Sequence, residues 1–462
     1  MQSVEVSIDP LGKIYFYKDR VFRVIKETHI GYVQEMFSCG LVDELITKNL
    51  FPKTWISDIL IEGCSLVLEH EKIEHWNYPY EWSFDMLKDA GLSILKIDKI
   101  ANQYGYQVMD GHSSNIVFNM GYPQYIDFGS FVKYDKKQNI SWQSYNIFYN
   151  HFYIPLFLWS KGYPDIARNI FLMRDYFDDK EFYKLKYPLL DILSIGNFAK
   201  MMKIIKKLAI VSKQTITTKI KNSKKQKIAL FINAITKPFF LKEKLEYDIK
   251  KIDKKTEHSM WNDYHDSIDP STNKRFLRVL DVIQDLKDAK SLIELASNQG
   301  KFAELILKKT TIKKVIATDY DKEAVNIMYL NNKNKDNFLP LLFDMVRTNG
   351  RKYDKFIHER IKSDIVVALA VTHHLILTQE ISIDYIFKTL KKLTNKYIVI
   401  EFMPLGLYSG DINNIPKTPD FYTDIWFKDN FKKYFDLILD EKLEINRHLF
   451  VGKLKSSTKD FI

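Results

Sequence analysis

The chain has 462 residues, of which 46% are hydrophobic, enough apolar material for more than one core, so two or three domains are predicted. Its two cysteines, Cys39 and Cys64, are too few for a disulfide framework or a cysteine-ligated metal site, and both are expected to be buried in a reducing, cytoplasmic setting. Much of the +11 formal charge lies between Lys203 and Lys255, which reads as a solvated basic linker and not as a nucleic-acid surface, and no apolar run approaches the roughly 20 residues needed to cross a bilayer.

In chain order, KIYFYKDRVFRVI predicts a hairpin turned at Lys18-Asp19, IGYVQEMFSCGLVDELI an amphipathic helix, and ISDILIEGCSLVLEHEKI two further strands. From Ser141 to about Ile252, aromatic and aliphatic residues recur at helical spacing. From about Lys290 the rhythm changes to strands alternating with helices: SLIEL, KVIATD, FLPLLFD, SDIVVALAV, YIVIEF, then a closing pair, FDLILDEK and RHLFVGKL. That alternation predicts an α/β fold, a doubly wound Rossmann-like sheet with an antiparallel tail over 256–462. It is preceded by an α+β region divided at 1–135 and 136–255, the second part being a helical lobe with the basic linker.

In an open α/β sheet, ligands bind beyond the carboxyl ends of the strands, where strand order reverses. The first strand, SLIEL, ends in Glu294-Leu-Ala-Ser-Asn-Gln-Gly300 and opens a helix at Lys301. Small residues there let the backbone approach a ligand, and a helix N-terminus favours a carboxylate. The second strand ends in Asp319, about 19 residues beyond Gly300, where an acid can accept ribose hydroxyls. The third delivers Phe343-Asp344-Met345, suited to an adenine amino group and ring, and the fourth runs into Ala370-Val-Thr-His373-His374.

These four stations resemble the class I S-adenosylmethionine-dependent methyltransferases over essentially all of 261–462. The resemblance implies S-adenosylmethionine as cofactor, with Glu294, Ala296, Ser297, Asn298 and Gly300 at its methionine end. Asp319 and Tyr320 then fall on the ribose, Asp344 and Met345 on the adenine, and Ala370 at the fourth strand's end. The family's first motif usually carries two or three glycines, whereas here Gly300 alone remains, with Ala296 and Ser297 in the earlier small positions.

Methyl transfer is an in-line displacement on a sulfonium methyl, so the protein must align two reactants and, for a hydroxyl acceptor, remove a proton. His373 and His374 stand where that base is needed, and imidazole titrates near working pH. Glu401, ending the fifth strand, is a second candidate, and Trp261, Asp263, Tyr264 and His265 could form a lid. No metal centre is expected.

Earlier in the chain, Asp110-Gly-His-Ser-Ser-Asn115 is followed after eleven residues by Asp127-Phe-Gly129. A phosphotransferase needs an Asp to orient the acceptor hydroxyl, an Asn five residues on to hold a metal, and a second Asp after a short hairpin. The pattern looks like the protein-kinase and aminoglycoside-phosphotransferase superfamily over approximately 11–240, implying ATP with magnesium. No glycine-rich loop or V-A-I-K-like strand accompanies it, and Arg23 or Lys26, partnered by Glu35, is the substitute for the phosphate-binding lysine. A degenerate kinase-like fold that presents an acceptor is therefore favoured over an active kinase.

End to end, HWNYPYEWSFDMLKDAG, VMDGHSSNIVFNMGYPQYIDFGSF, MWNDYHD, LAVTHHLILTQEIS and VIEFMP are similar to bacterial nodulation-protein-like class I methyltransferases. That resemblance implies a carbohydrate or glycoconjugate precursor as acceptor. The alternatives are a bifunctional kinase and methyltransferase, and, ranked last for want of any RNA-binding signature, a nucleic-acid-binding methyltransferase.

Overall fold

The structure, a computed structural model, describes residues 2–3, 9–59, 65–134, 142–172, 182, 186, 242–254, 269–345, 354–408, 410–411 and 413–455. The chain forms two compact units: Met1–Ile73, Met86–Val117 and Pro123–Lys255 make one, and Glu74–Asp85, Phe118–Tyr122 and Thr256–Ile462 the other.

In the first unit, strands β1 (Gln2–Ser3), β2 (Gly12–Tyr17), β3 (Arg20–Ile25), β4 (Thr54–Ile56) and β5 (Val67–His70) form a five-stranded antiparallel sheet of order β1-β2-β3-β5-β4. The β2–β3 hairpin turns at Lys18-Asp19 as expected, with Lys18 left-handed at φ 52°. The single helix expected next is two, α1 (Ile30–Ser38) and α2 (Leu41–Thr47). Gly40 between them adopts φ 88°, a conformation that ends a right-handed helix, and Cys39 beside it is exposed, not buried. Cys64 lies outside the described residues.

A long helix, α3 (Phe84–Gln103), leads to four short strands: β6 (Tyr106–Val108), β7 (Ile116–Asn119), β8 (Tyr122–Tyr125) and β9 (Phe131–Lys133). They pair β6 with β9 and β7 with β8, and so frame the segment from Asp110 to Asp127. Helices α4 (Tyr145–Phe148), α5 (Ile154–Ser160), α6 (Pro164–Asn169) and α7 (Lys242–Lys251) follow. The aromatic-rich sequence there packs as helical spacing requires, burying Phe148, Phe152, Leu156 and Trp159.

The second unit is a doubly wound α/β sheet of seven strands. These are β10 (Ser291–Leu295), β11 (Lys314–Asp319), β12 (Phe338–Leu342), β13 (Ser363–Ala368), β14 (Thr394–Phe402), β15 (Phe435–Glu444) and β16 (Arg447–Leu454), in the order β12-β11-β10-β13-β14-β16-β15. The first five are parallel and the last two antiparallel, so the tail is as expected. Leu292, Ile293, Ile365, Val366, Val367, Ile398, Val399 and Ile400 are fully buried, each contributing about 1.5–3 kcal/mol, which is why the central strands read as continuous apolar runs.

Helix α8 (Lys274–Asp285) leads into β10, and helices α9 (Lys301–Lys309), α10 (Lys322–Asn332), α11 (Ile357–Arg360), α12 (Ile383–Leu393) and α13 (Asp424–Tyr434) connect the strands that follow. Their starts are set by polar caps: the side chains of Asn273, Asp321, Ser382 and Thr423 accept amides of the first turns of α8, α10, α12 and α13.

Candidate functional site

Because β10 pairs with both β11 and β13, the winding of the second unit reverses at β10, and the carboxyl ends of these strands border the reversal point. The turn leaving β10 has Ala296, Asn298 and Gly300 all left-handed, at φ 53°, 50° and 75°. Only glycine fits the last position: a Cβ on Gly300 would stand 2.9 Å from Cγ and Sδ of Met328 and 3.1 Å from Cζ of Phe338.

What holds the turn is the end of the next strand. Asp319 accepts the Asn298 amide on Oδ2 at 2.7 Å and the Asp321 amide on Oδ1 at 2.9 Å. The Ser297 amide donates to the Thr318 carbonyl, the Ser297 hydroxyl donates to the Glu294 carbonyl at 2.7 Å, and the Thr318 amide donates back to Ser297 Oγ at 3.1 Å. The Phe343 amide donates to the Asp319 carbonyl at 2.9 Å, which brings the end of β12 beside the end of β11.

Glu294 and Asp319 are both buried, at 5% and 7% exposure. Burial pushes Glu294 up to about 8, against the Ser297 and Ala303 hydrogen bonds that favour its charge. Its Oε2 is buried with no hydrogen-bond partner among the described residues. Burial likewise raises Asp319 to about 6, against the amides of Asp321 and Asn298. Two buried acids, one with an idle oxygen, are a costly arrangement for an apolar edge and a useful one for a polar or cationic guest. Asp344 and Met345 follow β12 and are half-buried, while Tyr320, after Asp319, is exposed.

Beyond β13, Ala370 is left-handed at φ 51°, and its amide donates to Glu401 Oε2 at 3.0 Å. The Thr372 hydroxyl donates to the Glu401 carbonyl at 2.9 Å. Next in the chain come His373, buried with Nδ1 unpartnered among the described residues, and His374, half-buried, their ring centroids 4.1 Å apart. Burial, with His374 and Arg447 nearby, drives His373 down to about 3, and burial lowers His374 as well, so both are neutral imidazoles. The chain passes from His374 into a π turn, His374–Thr378, a form frequent at functional sites.

Glu401 does not have the surroundings of a catalytic base. It is fully buried, takes Arg275 Nε at 2.5 Å and Nη2 at 2.9 Å, and takes Arg447 Nη1 at 3.1 Å. Held by two guanidiniums, the carboxylate in turn holds the Ala370 turn in place. Sequence reasoning missed both arginines; the only signal for Arg275 was its place just after the Asn273 cap of α8.

In the first unit, Asp110, Asn115 and Asp127 share one loop region. The Tyr125 hydroxyl and Asn115 Nδ2 donate to the Asp110 carbonyl at 2.7 and 3.4 Å, and the His112 amide donates to Asp110 Oδ1 at 3.0 Å. Asp127 accepts the Gly129 amide at 3.1 Å, and burial lifts it to about 6 despite the opposing charge of Arg23. The expected pairing of Arg23 or Lys26 with Glu35 is absent. Arg23 is paired with Asp9, Lys26 donates to the Pro10 carbonyl at 3.0 Å, and Glu35 is paired with Lys133. Arg23 is buried on β3, and its charge is taken by Asp9 of the amino-terminal segment.

Trp261, Asp263, Tyr264 and His265, and all of the basic stretch from Lys203 to Lys255 except 242–254, lie outside the described residues. Among the described residues no helix is long and apolar enough to cross a membrane. A cavity of about 540 Å3 in the second unit is lined by Lys301, Glu304, Lys308, Asn332 and Lys335 among others, and none of the strand-end residues above borders it.

No protein-family model matches the sequence. Over 466 aligned residues the chain is 24% identical to nodulation protein NoeA of Rhizobium meliloti (strain 1021), covering 97% of this chain and 93% of that protein. Similar solved structures include the PH0226 protein of Pyrococcus horikoshii OT3, at 15% identity and TM-score 0.31, covering 40% of this chain and 93% of that one. Another is the N-methyltransferase NodS of Bradyrhizobium japonicum WM9, at 11% identity and TM-score 0.28, covering 40% and 96%. A third is magnesium protoporphyrin IX methyltransferase of Synechocystis PCC 6803 with bound SAM, at 11% identity and TM-score 0.29, covering 45% and 89%.

Proposed function

We propose that the second unit is an S-adenosylmethionine-dependent methyltransferase that methylates a hydroxyl of a carbohydrate or glycoconjugate precursor. The observation that carries this reading is the pair of buried acids, Glu294 and Asp319, at the reversal point of a doubly wound sheet, with Oε2 of Glu294 left without a hydrogen-bond partner. An ammonium group is the natural guest for that oxygen, and the N-terminus of α9 beside it favours the carboxylate of the same amino acid. Asp319, each oxygen of which accepts one amide, retains lone pairs for ribose hydroxyls. Asp344 and Met345 are assigned to the adenine. When bound, the sulfonium supplies an electrophilic methyl group.

The chain's own work is alignment and proton removal. His374, half-buried and neutral, is the group an acceptor hydroxyl can reach, with the His373 ring 4.1 Å away and tilted to it. Glu401 acts one step removed: through Ala370 and Thr372 it fixes the turn that carries both imidazoles. The family resemblance read from the sequence supports a glycan-related acceptor.

The first unit is read as a degenerate kinase-like fold that binds the acceptor. Supporting it are the long helix α3, the two small two-stranded sheets, and the clustering of Asp110, Asn115 and Asp127 between them.

Calorimetry with S-adenosylhomocysteine tests the central claim. The wild type should bind it, and Asp319→Ala should weaken binding by at least about tenfold, the worth of one or two lost hydrogen bonds to a buried site. Unchanged affinity in Asp319→Ala removes the ribose assignment, and no binding by the wild type removes the methyltransferase reading.

A further inference from the structure

We propose that Arg23 is the resident cation of the Asp110–Asn115–Asp127 site, standing in for the divalent metal that a phosphotransferase of this layout needs, so that the first unit takes up no magnesium nucleotide. The inference rests on the kinase-like reading of that unit.

Arg23 is on the inward face of β3, and its side chain is 3% exposed, paired with an Asp9 carboxylate that is 4% exposed. Its Nε donates to His70 Nε2 at 3.4 Å. A guanidinium can only donate, so His70 accepts there and carries its proton on Nδ1, which donates to Thr54 Oγ1 at 2.8 Å. The Thr54 hydroxyl in turn donates to the Pro52 carbonyl at 3.0 Å. Arg23 is therefore fixed from two sides by a relay that ends on backbone.

The other face of the guanidinium lies over the ring of Phe128, 5.8 Å from its centroid, and Phe128 adjoins Asp127. Asp9 completes the enclosure: its Oδ1 lies 2.9 Å from where a Cβ on Gly129 would be. The carboxylates of Asp9 and Asp110 both act on Asp127, and the Arg23 charge offsets both Asp9 and Asp127. A dication entering here would meet a buried positive charge that cannot withdraw without stranding Asp9. The residues present do not fit magnesium, because a buried cation paired with Asp9 already acts on Asp127, the acid that would bind it.

Mn2+ titration of the full-length protein, followed by the paramagnetic resonance of free ion, decides the matter. The wild type should bind no Mn2+ that Asp127→Asn abolishes. Arg23→Gln uncovers the acids and should tighten Mn2+ binding at least about tenfold, and adding Asp127→Asn should remove that gain. If Arg23→Gln does not fold, the charge-balanced pair Arg23→Met with Asp9→Asn is the substitute, and the same gain is expected. Mn2+ bound by the wild type and lost in Asp127→Asn overturns the proposal while leaving the kinase-like reading standing. A folded Arg23 variant that gains no binding overturns both.

Discussion

The Glu401 carboxylate and the Ala370 amide are joined by a 3.0 Å hydrogen bond across the ends of β14 and β13, and the same carboxylate is held by Arg275 and Arg447. One buried acid thereby sets the course of the chain into His373 and His374. Glu401→Gln keeps the shape and removes the charge, leaving the buried Arg275 guanidinium without a counter-ion and Arg447 with only the exposed Glu444, 3.9 Å away. Breaking a buried pair in this way costs about 3–5 kcal/mol, so urea denaturation should show a loss of that size. A loss under about 1 kcal/mol, with the pH profile of turnover altered, would return Glu401 to the role of base.

Stability should depend on pH through Glu294. The folded protein keeps its proton up to about pH 8, whereas an unfolded chain releases it near 4.5, so between those values the native state binds more protons. Stability is then greatest below 4.5 and is lost as pH rises through 8. His70 and His373, held near 3, act in the opposite sense, but only below 6.5. Asp319, at about 6, has finished by then. The window from 6.5 to 8 isolates Glu294 and should cost the ligand-free protein about 2 kcal/mol. Thermal melts across it should fall in the wild type and flatten in Glu294→Gln; a melting temperature that rises with pH there refutes the assignment.

The pattern of what could be read in advance has a physical basis. Strands such as SLIEL and SDIVVALAV are buried on both faces and announce themselves as apolar runs, and Gly300, Asp319 and Asp344 follow from their places at strand ends. Contacts between residues remote in sequence leave no such mark. Arg275 and Glu401 are 126 residues apart, and the Arg23–Asp9 pair depends on how a non-periodic segment folds over a sheet. The break at Gly40 was hidden because apolar residues continue at helical spacing through it.

For the two imidazoles, the measurement is turnover against pH. Burial depresses both, His373 to about 3, so a base drawn from His373 is already neutral far below 6.5, and one drawn from His374 titrates below the ordinary histidine value. Activity should therefore change little between pH 6.5 and 7.5, outside any loss from instability. Replacing the participating residue, His374→Ala foremost, should lower kcat by about 10²–10⁴ with S-adenosylhomocysteine affinity intact. Full activity in both His373→Ala and His374→Ala would discard the proton-removal role.

Gly300 tests the turn itself, independent of any ligand. Alanine there incurs two separate penalties. A left-handed backbone at φ 75° disfavours any Cβ by about 1–2 kcal/mol, and the new atom would stand 2.9 Å from Met328, closer than side chains normally come, and tightly against Phe338 at 3.1 Å. Overpacking of this kind adds about 1–3 kcal/mol. Combining Gly300→Ala with Met328→Ala separates the two, because shortening Met328 clears the nearer contacts and leaves the backbone term untouched. The double variant should therefore be less destabilised than the sum of the singles by 1 kcal/mol or more in a double-mutant cycle. Strict additivity would mean that the thioether is not what the glycine makes room for, and that the turn is held only by its backbone and by Asp319.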